Sequence, residues 1–208
     1  MKKSVGIIDL GISNTFSVYN SILDFGIVPN ITKDRKVIDG LDYLILPGAG
    51  SFHEGMKSLK KNGLDEIIKK HILKQKPFLG ICLGMQLLYQ ESSEFGNCEG
   101  LGILKGKVVP FKKNQKNYPH IGWNIVKIEK NSEDLKKINN NFFYFVHSYY
   151  VPKESGNDIL LSSTFNKVDF CSGVIKNNIY AFQFHPEKSS SQGKILLGLF
   201  LEKKFSSL

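Results

Sequence analysis

Three cysteines in 208 residues, Cys82, Cys98 and Cys171, are odd in number, far apart and without a C-x-x-C pair. That scarcity argues against a disulfide framework and against a zinc site. No apolar run approaches the length of a membrane span. At the amino terminus, "MKKSVGIIDLG", two lysines precede only a few apolar residues before Asp9, too few for a signal-peptide core. A soluble chain of the reducing cytoplasm is the expectation. No internal repeat or low-complexity linker divides the sequence, so residues 1–208 read as one domain with length enough for a substantial core.

The formal charge of +9 is accompanied by no zinc-finger spacing, no RNA-recognition signature and no interleaving of basic with aromatic residues. Five lysines fall between Lys105 and Lys116. A basic nucleic-acid-binding module is the reading this raises from outside the enzymes. A solvated Lys-rich surface is favoured over it, with steering of an acidic partner as a lesser role.

Short apolar runs alternate with helical periodicity in the first half. Val5 to Leu10, "DYLIL" and "PFLGI" are strand candidates; Phe16, Tyr19, Ile22 and Leu23 repeat at helical spacing after a cap at Ser13 or Asn14, as do Leu64, Ile67, Ile68 and Ile72. This predicts an α/β fold whose open, mostly parallel central sheet carries helices on both faces. Beyond Gly100 the runs "GKVVPF", "GWNIVKIE", "FFYFVHSYYV", "DILLSSTF" and "FCSGVIKNNIYAFQFH" add a smaller antiparallel, strand-rich portion in the C-terminal half, with a hairpin at Asn177-Asn178. A last helix is predicted from Gly193 to Lys204.

One of the few cysteines lies in "GICLGMQ", between a strand and a helix start. A strand, a G-x-nucleophile-x-G turn and a helix make an elbow that pushes a reactive side chain out at the carboxyl edge of a sheet. Cys82 is then either a buried cysteine in a tight turn or a thiol nucleophile. The N–H of Leu83 is placed to donate to an oxyanion, and Gln86, one helical turn on, to hold a substrate near the thiol. A nucleophile needs a base and the base an orienting acceptor. His53, in a polar turn, His71 and His120 read as structural. His185 ends an apolar strand and is followed by Pro186 and Glu187, whose carboxylate in an extended segment would face the imidazole. "LPGAG" supplies a second glycine turn, Gly48-Ala49-Gly50, whose N–H groups complete an oxyanion hole.

"GICLGMQ" together with "FHPE" resembles the class I (triad) glutamine amidotransferases. "LPGAGSFHEGM", "PHIGWN", "YFVHSYY" and "FQFHPEKSS" extend that resemblance over nearly the whole chain. It implies that Cys82 attacks the glutamine side-chain amide, that His185 shuttles protons and that Glu187 orients His185. It further implies that Gly50, Gln86, Glu94, His147, Ser148 and Tyr149 hold the glutamine head group, and that no cofactor or metal takes part. Ammonia would pass to a separate (β/α)8-barrel cyclase, the heterodimer partner, making imidazole glycerol phosphate and an aminoimidazole carboxamide ribotide. Trp123 would be an aromatic of that interface, against simple core packing. The alternative client is the amidination of a bacterial surface sugar. One departure is Ala49, where the family often has valine.

Overall fold

The computed structural model describes residues 3–11, 14–113, 117–130, 132–155 and 159–202. Strands and helices alternate at first: β1 (Val5–Ile8), α1 (Thr15–Leu23), β2 (Asn30–Thr32), α2 (Arg35–Gly40), β3 (Tyr43–Leu46), α3 (Phe52–Lys61), α4 (Leu64–Leu73), β4 (Phe78–Ile81) and α5 (Leu83–Gln86). Short strands β5 (Glu91–Ser92), β6 (Cys98–Glu99) and β7 (Lys107–Pro110) come next. They lead to β8 (His120–Ile128), β9 (Asn141–His147), β10 (Tyr149–Tyr150), β11 (Ile159–Phe165), β12 (Val168–Lys176) and β13 (Ile179–Phe182), and the described chain ends in α6 (Ser190–Glu202).

Nine strands form one twisted sheet in the order β2-β1-β3-β4-β13-β12-β11-β8-β9, and β10-β7-β5-β6 form a second, small sheet. The α/β reading holds, with a refinement: the parallel and antiparallel portions are continuous. Their seam is β13, which runs parallel to β4 and antiparallel to β12. The predicted hairpin produces this seam, because Asn177 takes a left-handed φ of 52° and returns the chain from β12 beside β4.

Alternation along the parallel strands explains why both faces are covered. Val5 and Ile7, Tyr43 and Ile45, Leu79 and Ile81 pack with Val18 and Ile22 of α1 and with Leu196, Leu197 and Phe200 of α6. Their neighbours Ile8, Leu44, Leu46 and Phe78 join Met56 and Leu59 of α3 and Ile67 and Ile68 of α4 on the other side. Period-two strands that are apolar at every position need such a cover on each face.

Helix ends follow local chemistry. Asn14 Oδ1 accepts from Ser17 N at 3.2 Å and caps α1, while Ser13 lies outside the described residues. Ser51 caps α3, accepting from Glu54 N at 3.3 Å, so His53 sits on the first turn of a helix rather than in the expected polar turn. α6 begins three residues before the predicted Gly193, since its first turn, Ser190 to Gln192, is polar and carries no apolar stripe to read. Lys203 and Lys204, and Lys116 of the basic stretch, lie outside the described residues. No helix among the described residues is long and apolar enough to cross a membrane.

Candidate active site

β4 runs straight into a tight turn at Cys82, whose φ of 53° and ψ of −108° are costly for any residue with a Cβ. The turn is over-determined by its surroundings. Cys82 N donates to Phe182 O at 2.7 Å, and Gln86 N to Cys82 O at 3.1 Å. A Cβ at Gly84 would stand 1.8 Å from Leu46 O, and one at Gly48 2.5 Å from Leu83 Cβ. Both glycines let the elbow press against the end of β3 and its following turn. α5 is a single turn, shorter than the apolar "MQLLYQ" suggests. The carbonyls of Leu87, Leu88 and Tyr89 are taken by N–H groups of residues 101 to 104, which draws the chain out of the helix.

His185 follows β13 and its backbone is fixed by N–H donation to Tyr144 O at 2.9 Å. The pairing with Glu187 does not come from an extended strand end. Pro186–Lys188 form a 3-10 turn, and this brings His185 Nδ1 to 2.7 Å from Glu187 Oε1 with both side chains buried. Nδ1–H therefore donates to the carboxylate, and Nε2, buried without a hydrogen-bond partner among the described residues, is the free nitrogen. Burial opposes the imidazolium, but the neighbouring Cys82 sulfur and the Glu187 carboxyl group outweigh it and push His185 up to about 10.

Cys82, His185 and Glu187 line one cleft of about 280 Å³. Leu83 and the turn Gly48-Ala49-Gly50 form its wall beside the sulfur, and Gln86, Glu94, His147, Ser148 and Tyr149 line the remainder. Every predicted catalytic, oxyanion and head-group residue thus borders the same cavity. Ala49 is exposed, so its missing valine methyls remove no buried contact. Glu94 is pinned at the start of α3, where Phe52 N donates to Oε2 at 2.6 Å; burial raises its carboxyl, opposed by that N–H. Gln86 departs from the simple expectation, because its Nε2 already donates to Tyr149 O and to Gln183 Oε1, each at 2.9 Å.

The histidines set aside as structural divide. His71 is buried and donates from Nε2 to Pro77 O at 3.1 Å; burial pushes it down to about 4. His120, set behind the cleft wall, and His147, which lines it, form a relay that the sequence does not announce. His147 Nδ1–H donates to Tyr149 O at 2.8 Å, which leaves its Nε2 to accept from His120 Nδ1–H at 2.8 Å. His120 Nε2 in turn accepts from Asn124 at 3.1 Å. Burial drives His147 down to about 3 and His120 to about 4, so the relay is neutral and its direction fixed. Among the described residues there is no cluster of metal-ligating side chains. Cys171 is buried and pushed up to about 12 by that burial; Cys98 is half-buried.

Residues 6–203 match the glutamine amidotransferase class-I family. The chain belongs to that family. Similar to this amidotransferase are the imidazole glycerol phosphate synthase subunit HisH of Caldanaerobacter subterraneus, 46% identical over 95% of this chain and 97% of its own, and subunit HisH 2 of Methanococcus maripaludis, 46% identical over 96% and 99%. The Aquifex aeolicus HisH subunit is 43% identical over 95% of both. Among solved structures, PurLQS from Thermotoga maritima superposes with a TM-score of 0.77 at 20% identity over 98% of this chain and all of that one, a likeness of fold.

In this amidotransferase Trp123 is not core. It is 52% exposed on β8, edge-on to Tyr144. Register places Ile121 opposite Val146, Trp123 opposite Tyr144 and Ile125 opposite Phe142 across β8 and β9. Ile121, Ile125, Phe142 and Val146 are likewise exposed. The alternation of "HIGWNI" is thus inverted, with His120 and Asn124 turned to the relay and Ile121, Trp123 and Ile125 to solvent, before Val126 returns to the core. Ile121 and Val146 also line the cleft, so the strip begins at its mouth.

Proposed function

We propose that this amidotransferase is the glutaminase subunit of imidazole glycerol phosphate synthase, hydrolysing glutamine and delivering ammonia to a separate (β/α)8-barrel cyclase in histidine biosynthesis. The observation that carries the reading is the closed set Cys82, His185 and Glu187 in one cleft, in a chain similar end to end to subunits of that synthase. The whole chain acts as one unit in this reading, since the cleft draws on the turn after β3, on β4 and β9 and on the turn after β13.

The chemistry follows from the charges. The Cys82 thiolate attacks the side-chain carbonyl carbon of glutamine, and the developing oxyanion faces the Leu83 N–H and the turn Gly48-Ala49-Gly50. Sulfur loses its charge as the C–S bond forms. The sulfur's share of the influence that raises His185 is then gone, leaving Glu187 alone, so the imidazolium gives its Nε2 proton more readily to the departing nitrogen. Ammonia leaves and a thioester remains. Neutral His185 next takes a proton from water, hydroxide adds to the thioester, and glutamate departs with Cys82 restored. Glu187 keeps the ring oriented, and Glu94, an acceptor-only carboxylate, suits the substrate ammonium.

Ammonia protonates in bulk water and ceases to be a nucleophile, so release should occur within a sealed contact. The apolar strip around Trp123 at the cleft mouth is the surface on which the barrel would seat. Reconstitution with the cyclase should yield imidazole glycerol phosphate from glutamine. Trp123→Arg should lower affinity for the cyclase by at least tenfold, an interface-anchor effect, while the free subunit keeps its basal glutamine hydrolysis. Full affinity in that variant, or failure of glutamine to support the product with wild type, counts against the reading.

A further inference from the structure

We propose that Gln183 is a positioning residue for the nucleophile: its amide NH2 holds the Cys82 sulfur, and Gln86 dictates which end of that amide faces it. The inference rests on the glutaminase reading above. Gln183 is fully buried just past β13, with its backbone N–H donating to Ser172 O at 3.0 Å. Its Nε2 lies 3.7 Å from Cys82 Sγ and its Oε1 2.9 Å from Gln86 Nε2.

The two ends of an amide have nearly the same shape, so orientation must come from partners. Here the partners leave one solution. Tyr149 O can only accept, so the Gln86 atom 2.9 Å from it is nitrogen. That same nitrogen meets Gln183 and donates there too, which makes the facing atom of Gln183 its oxygen. The NH2 end is left pointing at sulfur.

Cys82 Sγ sits between groups of opposite demand. Val146 O, 3.7 Å away, accepts from a protonated thiol and repels a thiolate. The Gln183 N–H does the reverse, since donation to an ionised acceptor is the stronger bond. Ionisation therefore releases the sulfur from the β9 carbonyl and leaves it between Gln183 and His185. The remaining titratable groups near the sulfur are Glu187 behind His185, neutral His147, and Glu94, Tyr149 and Lys188 of the cleft lining.

Gln183→Met keeps the length of the side chain and removes both amide groups. Alkylation of Cys82 by iodoacetamide, followed by mass spectrometry across pH, should show the inflection about one pH unit higher than in wild type. Glutamine turnover should fall about tenfold in kcat, with a smaller change in KM. A folded variant with an unmoved alkylation profile and full kcat overturns the proposal. Where the variant fails to fold, wild type decides: the Gln183 side-chain amide proton, followed by 15N NMR, should move downfield in step with Cys82 ionisation, and a signal that stays put overturns it. A wild type that neither turns over glutamine nor reacts at Cys82 overturns the glutaminase reading together with this one.

Discussion

Cys82, His185 and Glu187 were legible from their neighbours, because a nucleophile between glycines and an H-x-E pair each lack what the other supplies. Gln183 was not, since a glutamine flanked by two phenylalanines has no spacing that marks a donor to sulfur. The size of the shift on His185 was also out of reach, as it depends on how closely Cys82 and Glu187 lie against it. His185 is raised from 6.5 to about 10 by Cys82 and Glu187 against burial. Its sign is that of a base gaining partners. Stabilisation is complete below about 6.5 and is lost as pH climbs through about 10. Glu187→Gln removes one of the two groups that raise His185 and should bring the alkaline limb of glutamine turnover to lower pH. We expect kcat to drop on the order of 10²-fold, as for loss of an oriented general acid-base. A pH-rate profile checks both, and an unmoved alkaline limb would show that Glu187 does not set the imidazole's charge.

Between the elements, the elbow works because α5, the end of β3 and the turn after it interlock with no room for a side chain at Gly84. Gly84→Ala would drive a Cβ into Leu46 O, and the strand and helix must part to admit it. A loss of about 1–3 kcal/mol is expected from such overpacking, read as a fall in thermal midpoint. An unchanged midpoint would mean that the elbow is not packed as described. The longer strands and helices α1, α4 and α6 were legible from apolar periodicity, whereas β2, β5 and β6, of two or three residues each, and helices α2 and α3 went unread. Three departures have local causes: α5 stops early because downstream N–H groups claim its carbonyls, α6 starts early on polar residues, and the first half of β8 turns Ile121, Trp123 and Ile125 outward. A pattern of alternation gives a strand but not which face meets the core.

Across the whole molecule, the seam of the sheet makes the site. β13 pairs with β4 in parallel, Phe182 beside Ile81, so Cys82 and the segment carrying His185 leave the same edge together. Open α/β sheets bind ligands at that carboxyl edge. Sequence patterning foresaw both strands and the hairpin at Asn177, yet not that one continuous sheet would join them, because pairing partners are set by packing over long separations. The relay of His120 and His147 and the strip around Trp123 lie on the antiparallel side of that sheet, next to the cleft. Under the proposed function, one end of the molecule is both the source of ammonia and the seat of its recipient. The most direct test is product formation by the Cys82→Ala subunit reconstituted with the cyclase. Glutamine should support no imidazole glycerol phosphate, while added ammonium salt should support it at close to the wild-type rate; glutamine-dependent product from that variant would contradict the account.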